Sequence, residues 1–449
     1  MKLKPYSKYK DSEVQWIGEI PEEWKFHKLK FMLSSLESGS RENDESAPLD
    51  KGAFSIGGEH INWNGTLKLD HERFVSFEYY SAMNRGKIQE NDVLLVKDGA
   101  TIGKTALVIK KPFDKMAVNE HVFILRPNKK ISPKLLYYLI DSDSGFRQIK
   151  LTETGSAQGG INTEFANKTL FSINENSNEQ EKITDFLDSK TSQISKTIEA
   201  DKRLIELLKE KRTALINHVV TKGLNPKSKM KDSGIEWIGE VPEGWEVRKI
   251  RHCFDIIGSG TTPSSSDESY YPIDDEEGIS WINTGDLNDS HLIESSKRIT
   301  KKALMDFSAL KIFPKNSLII AMYGATIGKT AIVDIESTYN QACCVLNKSK
   351  KMLIEYAHYW FLAKKEDIIA LSYGGGQPNI SQDVVKRVKI TVPSIDEQTQ
   401  ISSYLDKATS KIDQTIKKIE EKIELLEEFK KSLIHHIVTG KVDVREAVA

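Results

Sequence analysis

Two identical seven-residue segments, Gly99-Ala-Thr-Ile-Gly-Lys-Thr105 and Gly324-Ala-Thr-Ile-Gly-Lys-Thr330, are the first candidates for chemistry. Glycines followed by Lys and Thr are typical of loops that bind nucleotide phosphates. Such a loop needs four residues between its glycines and a helix directly after it, whereas here three intervene and strand-like Ala-Leu-Val-Ile follows the first copy. The sequence therefore favours a hairpin turn that presents Lys104 and Lys329, and a nucleotide hydrolase is the weaker alternative.

Polar loops that carry Ser, Thr, Gly and Asn beside aromatic residues form a second set of candidates. Their short side chains suit contacts to phosphates and base edges, although ordinary surface loops have the same composition. Amide side chains can pair with adenine edges or cap turns. The candidate DNA-contacting residues are Ser40, Arg41, His60, Asn62, Lys97, Lys104, Gln158 and Asn162 in the first half, and Thr261, Thr262, Ser264, Asn283, Thr284, Asp286, Tyr323, Lys329, Gln377 and Asn379 in the second.

Motifs for catalysis and metal binding are missing from the sequence. It has no Asn/Asp-Pro-Pro-aromatic tetrapeptide, no His-Glu-x-x-His and no Gly-x-Ser-x-Gly. Cys253, Cys343 and Cys344 do not have the spacing of zinc ligands, and His435 with His436 ends a helical stretch, where imidazoles commonly contact free carbonyls. We therefore expect no catalytic residue, no metal site and no cofactor.

The elements that position these residues are written twice along the chain. The segment from Asp11 to Trp24 returns from Asp232 to Trp245 with nine of fourteen positions identical and an offset of 221. Its core, Trp-Ile-Gly-Glu-Ile/Val-Pro-Glu-x-Trp, is more typical of a docking clamp than of a chemical site. We predict that partner docking involves Trp16, Trp24, Trp237 and Trp245.

Each copy ends in a long helical stretch without Pro or Gly, residues 178–221 and 396–439. Apolar residues recur there at alternating spacings of three and four, which predicts a coiled-coil seam. Asp201 and Arg212 interrupt the first seam and indicate a weak place, a bend or a polar register device. The two helices are the obvious partners for each other as an antiparallel spacer, although a simple dimer contact would use the same seam.

The globular parts combine short β-like runs with helical ones. Strands are predicted around residues 92–96, 106–109, 122–125, 317–321 and 331–333, and helices over residues 133–141 and 352–364. The predicted fold class is α+β, with two mixed α/β domains in tandem repeat, each followed by a long helix. The predicted boundaries are 1–177 and 224–395 for the two domains with their linker, 178–223 and 396–440 for the helices, and 441–449 for a C-terminal tail.

Overall charge gives no basic signature, because 64 Lys and Arg face 65 Asp and Glu for a net charge of −1. Cations are nevertheless concentrated locally, as in Lys110, Lys111, Lys115, Arg126, Lys129 and Lys130. Phosphate binding depends on where cations lie, so a neutral total is compatible with DNA binding. Three cysteines and the lack of an apolar leader or membrane span favour a reducing cytoplasm.

Taken together, the motifs resemble the specificity subunit of type I restriction-modification systems. The resemblance rests on the duplicated Trp-Ile-Gly-Glu element, the two Gly-Ala-Thr-Ile-Gly-Lys segments, and Gly260-Thr-Thr-Pro with Trp281-Ile-Asn-Thr-Gly-Asp286. It also rests on Asn178-Glu-Gln-Glu-Lys-Ile183 and Asp396-Glu-Gln-Thr-Gln-Ile401, which open the long helices. After Gly39 the first half lacks the Thr-Pro that follows Gly260 in the second half. We therefore expect the two halves of a DNA target to differ.

This resemblance implies two target recognition domains, each reading one half of a split double-stranded DNA sequence, with the paired helices fixing the gap. Two methyltransferase subunits would dock on the chain and restriction-translocase subunits would join them, so that catalysis belongs to those partners. A coiled-coil scaffold without DNA affinity stays open as the alternative function.

Overall fold

The computed structural model describes residues 4–13, 17–42, 52–155, 159–273, 278–372 and 379–446. The chain divides into two compact units, Met1–Asp201 with Glu421–Ala449 (unit 1) and Lys202–Glu420 (unit 2). Each unit therefore takes one part of both long helices, whereas the predicted boundaries follow chain order alone. Every helix in the described ranges is too short or too polar to cross a bilayer.

Unit 1 is a mixed α and β unit with short strands. Its strands are β1 Tyr9–Asp11, β2 Glu19–Pro21, β3 Lys25–Lys28, β4 Leu33–Ser38, β5 Gly52–Ile56, β6 Phe74–Ser76, β7 Val93–Val96, β8 Thr105–Leu107, β9 Met116–Val118, β10 Val122–Pro127 and β11 Leu170–Ile173. Its helices are α1 Phe77–Ala82, α2 Pro133–Asp141, α3 Asp143–Lys150, α4 Phe165–Lys168 and the first part of α5 Ser177–Lys222. The central sheet has the order β4-β10-β7-β8 and is antiparallel, and a smaller sheet, β6-β5-β9, pairs β5 with β9 in parallel.

Unit 2 repeats this plan. Its strands are β12 Met230–Asp232, β13 Glu240–Pro242, β14 Glu246–Lys249, β15 Ile256–Gly258, β16 Ile279–Ile282, β17 Ser290–Leu292, β18 Arg298–Ile299, β19 Ser317–Ala321, β20 Thr330–Val333, β21 Thr338–Tyr339, β22 Cys343–Asn347 and β23 Lys389–Val392. Its helices are the last part of α5, α6 Lys301–Asp306, α7 Ile354–Ala363, α8 Lys365–Ile369, α9 Gln382–Arg387 and the first part of α10 Ile395–Val438, whose last part belongs to unit 1. The sheet order β15-β22-β19-β20 matches that of unit 1, and β17 is added in parallel at its edge.

Each core lies where the apolar strand residues meet α2 or α7. β7 and β19 are buried along their whole length, because both faces of these central strands are covered. Ser132 caps α2 by accepting a hydrogen bond from the amide of Leu135, and Pro133 starts the helix without needing an amide partner. The predicted strands and helices are confirmed, and each unit contains both antiparallel and parallel strand pairs, which the sequence patterns did not distinguish.

The antiparallel helix pair is confirmed, and its seam is buried as the spacing predicts. In unit 1, Ser195 Oγ accepts from Lys430 Nζ at 3.0 Å, and Asp201 Oδ2 lies 2.8 Å from Lys422 Nζ. Residue numbers rise on α5 while they fall on α10, so the helices run in opposite directions. Neither helix is interrupted at Asp201 or Arg212, so these residues act as polar pairs in the seam.

In unit 2 the seam holds the ion pair of Arg212 Nε with Asp413 Oδ1 at 2.9 Å. In the sequence repeat, Arg212 corresponds to Lys430 and Asp413 corresponds to Ser195, so this pair is the counterpart of the Ser195–Lys430 contact in unit 1. The buried carboxylate of Asp201 has an apolar counterpart, Ile419, in the second copy. The two seams therefore share one polar position and differ at another, and a polar group at a single seam position favours one helix register over others.

Candidate nucleic-acid interface

The two Gly-Ala-Thr-Ile-Gly-Lys-Thr segments form hairpin turns, as predicted. In unit 1 the turn joins β7 to β8, and the amide of Val96 donates to the carbonyl of Lys104 at 2.9 Å while the amide of Gly103 donates back to Val96 at 3.0 Å. Gly99 and Gly103 have φ values of 76° and 95°, which side chains rarely adopt. The corresponding turn of unit 2 joins β19 to β20. Because a strand follows each turn, no helix N-terminus faces a phosphate, which contradicts the nucleotide-loop alternative.

A second glycine pair fixes the loops that precede four of the predicted DNA-contacting residues. A Cβ atom on Gly39 would lie 1.6 Å from the carbonyl oxygen of Val118, and one on Gly260 would lie 1.6 Å from that of Tyr339. Only glycine allows the loop backbone to approach the neighbouring strand this closely. The residues that follow, Ser40 with Arg41 and Thr261 with Thr262, therefore start from the same backbone position in each unit.

Unit 1 presents a run of ionisable side chains at this place, which we call the charged cluster. Arg41 Nη1 lies 3.6 Å from Glu120 Oε1, and His121 Nε2 lies 3.1 Å from the same oxygen. His121 Nδ1 contacts Asp98 Oδ1 at 2.7 Å, and Asp98 pairs with Gly160 in a β-bridge. The side chain of Arg41 is 57% exposed, so most of the guanidinium faces solvent.

Unit 2 presents uncharged groups at the same place, the neutral cluster. Thr262 Oγ1 donates to Gln341 Oε1 at 2.7 Å, and Ser259 Oγ donates to the backbone carbonyl of Gln341 at 3.3 Å. Burial raises the pKa of Tyr323, and a hydrogen bond with the Gln341 side chain opposes that shift. Tyr323 pairs with Asn379 in a β-bridge. Of the predicted residues, Thr262, Tyr323 and Asn379 are thus brought together.

His60 is the predicted contact that the structure contradicts. Its side chain is completely buried, and Nδ1 accepts from the amide of Gly57 at 2.8 Å while Nε2 lies 2.6 Å from the carbonyl of His71. Both ring nitrogens are therefore used to hold two backbone segments. His60 is a structural residue, and the exposed aromatic group of this region is Trp63, which packs on Phe146 and lies 5.9 Å from Lys104 Nζ.

The other predicted residues of unit 1 lie in local loop contacts. Asn62 Nδ2 donates to Thr66 Oγ1 at 3.0 Å, and Asn162 Oδ1 accepts from the amide of Glu164 at 2.9 Å. Ser40 is exposed, and Tyr79 donates to its hydroxyl at 2.6 Å. Lys97 Nζ lies over the ring of Phe123 at 5.1 Å. Gln158 lies outside the described residues, as does Gln377 of the second half.

In unit 2 the segment Trp281-Ile-Asn-Thr-Gly-Asp286 forms a tight turn after β16. Asp286 Oδ2 accepts from the amide of Asn283 at 2.8 Å, and its Oδ1 accepts from the amide of Ser296 at 3.3 Å. The carboxylate of Asp286 therefore stabilises the turn, and Thr284 lies half-buried inside it. Thr261 accepts from the Trp281 indole at 3.2 Å through its backbone carbonyl, and Ser264 contacts Ser266 at 2.8 Å.

Two of the predicted docking tryptophans lack the exposed surface that partner docking requires. Trp24 is 2% exposed and donates to Glu179 Oε1 at 2.9 Å, and Trp245 is 1% exposed and donates to Glu397 Oε1 at 3.2 Å. These rings pack inside their own units, on the glycines that follow the long helices. Trp237 is half-buried against Trp360, and Trp16 lies outside the described residues.

The Glu-Gln dipeptide that opens each long helix joins it to its own unit. Glu179 and Glu397 accept from the tryptophan indoles, and the next residue on each helix, Gln180 or Gln398, accepts from the backbone amide before α2 or α7 at 2.8 Å. Tyr138 donates to Asp188 and Tyr359 to Asp406, each at 2.7 Å. The repeated motifs thus attach each unit to the start of the helix that follows it.

Several side chains that could bind ligands or react are instead buried or paired within their own unit. Arg126, one of the local cations of the first half, contacts Asp92 and Glu37 at 2.8 Å each. Burial raises the pKa of the Cys344 thiol to about 12 and that of Cys253 to about 11, so both stay protonated at neutral pH. Within the described ranges, no group of three or more His, Cys, Asp or Glu side chains could hold a metal ion.

Sequence reasoning missed Asp98, Glu120, His121 and Gln341. The repeat itself offered a signal, because Asn119 and Asn340 correspond and the residues directly after them differ. Positions that differ inside a shared framework are candidates for differing function. That comparison was available without a structure.

Comparison with known families gives a direct assignment. The family model for the type I restriction modification DNA specificity domain matches residues 21–209 and 242–425. The chain belongs to this specificity-subunit family. The two matches correspond to the two copies of the repeat.

Relatives named as specificity subunits are similar over different lengths. The type I restriction enzyme MjaIX specificity subunit of Methanocaldococcus jannaschii is 33% identical over 173 residues, which cover 37% of this chain and 38% of that relative. The putative MjaX specificity subunit of the same organism is 27% identical over 441 residues, 96% of each chain. The likeness to the second relative therefore spans both copies.

Solved structures agree with the fold. A chain from a structural study of complex assembly and conformational transition of the type I R-M system is similar with a TM-score of 0.74 at 16% identity, over 93% of this chain and 98% of that one. The HsdS subunit from Thermoanaerobacter tengcongensis is similar with a TM-score of 0.57 at 16% identity, over 94% and 98%. At these identities the likeness concerns the fold alone.

Proposed function

We propose that this chain reads a two-part double-stranded DNA target, one part with each unit, for a type I restriction-modification complex. The observation that carries the proposal is the pair of clusters at repeat-equivalent places. The charged and the neutral cluster start from the same backbone position, yet they offer different hydrogen-bonding groups. Two readers built on one framework fit a target whose two halves differ.

The charge distribution supports this proposal. Lys104 and Lys329 lie on identical turns beside the clusters, where ammonium groups suit contacts to phosphates in any sequence. In this proposal, direct base contacts are made by the side chains that differ between the charged and the neutral cluster. A net charge of −1 is compatible with this division when partner subunits also contact the DNA.

Catalysis in the proposed complex belongs to other subunits. Two methyltransferase subunits dock on the chain, one for each copy of the repeat, and restriction-translocase subunits join them. The duplication supports a count of two, because equivalent surfaces bind equivalent partners. The chain itself contributes DNA specificity and a scaffold, without a cofactor of its own.

The proposal is tested by sequencing methylated bases in a host with the gene, without it, and with the gene restored. We expect one motif with two defined parts and an undefined gap, methylated on adenine only when the gene is present. The absence of any gene-dependent two-part motif would contradict the proposal. In that case a scaffold without DNA affinity, which the buried helix seam would also suit, becomes the better function.

The paired helices provide a second test of the same function. We expect the helices to set the gap between the two defined parts, so that one extra turn of about four residues in each lengthens it by about 6 Å, one to two base pairs. The inserted residues need to continue the apolar spacing of the seam. An unchanged gap in the methylated motif would contradict the spacer role.

A further inference from the structure

We infer that the side-chain pairs Arg41 with Glu120 and Thr262 with Gln341 determine which base each half of the target requires, with Arg41 reading guanine and Gln341 reading adenine. This inference rests on the proposed function and adds the specificity-determining positions to it. Both pairs are related by the repeat offset of 221 residues. One pair is therefore the direct counterpart of the other.

The framework around the two pairs is constant. Gly39 and Gly260 approach the carbonyl of the neighbouring strand equally closely, and each precedes the first member of its pair, Arg41 or Thr262, by two positions. Asn119 and Asn340 hold the next turn in the same way, since each side chain accepts from the backbone amide two residues on, at 2.9 and 3.1 Å. The second member of each pair, Glu120 or Gln341, directly follows that asparagine. Both members are therefore held by local geometry that the two units share.

Arg41 retains most of its hydrogen-bonding capacity. A guanidinium has five N–H donors, and the contact of 3.6 Å with Glu120 orients the group without using the others. Its side chain is 57% exposed. Two parallel N–H groups match O6 and N7 of guanine in the major groove, which is the commonest specific protein-DNA contact. Glu120 is a positioning residue, held in turn by His121.

Gln341 is held at its amide oxygen, where Thr262 Oγ1 donates to Oε1 at 2.7 Å. The Gln341 amide also lies near the Tyr323 hydroxyl, whose pKa it influences. An amide oxygen accepts two hydrogen bonds and an amide nitrogen donates two, so one of each is left for a ligand. The amide oxygen can accept from the N6 amino group of adenine, and the amide nitrogen can donate to N7. Gln341 is exposed, as this contact requires.

The experiment exchanges the pairs in the full chain, assembled with its methyltransferase subunits. The variants are R41T/E120Q, which gives unit 1 the pair of unit 2, and T262R/Q341E, which does the reverse. Bound sequences are selected from a library randomised over both parts of the wild-type motif. We expect R41T/E120Q to reduce the preference for guanine at one position in one part, by about tenfold or more. T262R/Q341E should reduce the preference for adenine at one position in the other part.

The matched control is R147A, which removes another exposed arginine of unit 1, paired with Asp143 at 2.9 Å on α3. It should leave the selected motif unchanged. The inference is overturned if both exchange variants select the wild-type motif, if both alter the same part, or if the altered bases are not guanine and adenine. Absence of any motif for the wild-type complex would instead contradict the proposed function.

Folding is checked by the melting temperature of each variant. R41K and Q341N provide the comparison when an exchange variant does not fold. R41K keeps the positive charge but cannot donate two parallel hydrogen bonds to one base, and Q341N keeps the amide on a side chain that is one methylene shorter. Each should weaken one base preference without lowering the melting temperature. Unchanged base preferences in both variants would also overturn the inference.

Discussion

The charged cluster of unit 1 and the neutral cluster of unit 2 occupy equivalent places but use different chemistry. Arg41 forms an ionic contact with Glu120, which also contacts His121, in one, whereas Thr262 and Gln341 form a neutral hydrogen bond in the other. The glycines and turns beneath them are the same. Side-chain chemistry therefore varies here while the backbone geometry stays the same, so one framework carries two different sets of hydrogen-bonding groups.

Two positions on the equivalent helices α2 and α7 also differ between the units. Tyr137 of unit 1 corresponds to His358 of unit 2, and Asp141 corresponds to Leu362. Burial raises the pKa of Asp141 to about 6, although Lys430 and Lys431 oppose the shift. Burial lowers the pKa of His358 to about 4, opposed by Asp289. Desolvation favours the neutral form of both groups, so it raises the pKa of the carboxyl and lowers that of the imidazole, and acid affects the stability of the two units in opposite directions.

The framework that the units share can be broken at its glycines. G39A or G260A places a methyl group against a backbone carbonyl, which cannot move without displacing a strand. We expect each substitution to destabilise its unit by about 3 kcal/mol, measured as a lower melting temperature. G244A is the control, because a Cβ atom there meets nothing within 4 Å. Equal melting temperatures for all three variants would show that the close approach is not required.

Asp141 and His358 predict pH dependences of opposite sign in the two units, and the dependence of unit 2 can be tested at His358. His358 has an ordinary pKa near 6.5 when unfolded and about 4 when folded, so the unfolded state binds more protons as the pH falls through this window. Its contribution to stability is therefore present above pH 6.5 and decreases towards pH 4. Between pH 7 and pH 5 the loss is about 2 kcal/mol.

The variant H358Q removes the titration and keeps a group that can bond to Thr330, so its melting temperature should fall less between these pH values than that of the wild type. H252Q replaces an exposed histidine of the same unit and should behave like the wild type. If H358Q and the wild type lose stability equally on acidification, His358 is not the group that titrates.

The smallest expected effect concerns the lysines that the two units have in common. K104A and K329A should each weaken DNA binding a few-fold for every sequence and lower the slope of log affinity against log salt concentration by about one. The selected motif should stay unchanged, in contrast to the exchange variants. A change of motif in either lysine variant would show that the shared turns also read bases.

Much of the fold could be predicted because repetition and period are local properties of the sequence. The alternating spacing of three and four residues gave helices within two residues of those observed, Ser177–Lys222 and Ile395–Val438. The hairpin turns followed from glycine spacing and from the strand-like residues after them. These features depend on neighbours in the chain.

The candidate site was predicted less well because it depends on residues distant in sequence. Arg41 meets Glu120 across 79 positions, and His60 is buried by contacts with Gly57 and the carbonyl of His71 that its polarity does not reveal. The predicted docking role of Trp24 failed for the same reason, because Gly440, near the other end of the sequence, packs on the ring and helps to bury it. Burial is a tertiary property, and composition alone does not predict it.

The discontinuous composition of unit 1 has a consequence for synthesis. The isolated β-bridge of Lys4 with Asp443 and the packing of Gly440 on Trp24 need a segment that the ribosome adds after all of unit 2. Unit 2 is one contiguous stretch, Lys202–Glu420. At about 5–20 residues per second, the first unit waits roughly 10–45 s for its last piece while the second is translated. The part of the chain made first is therefore completed last.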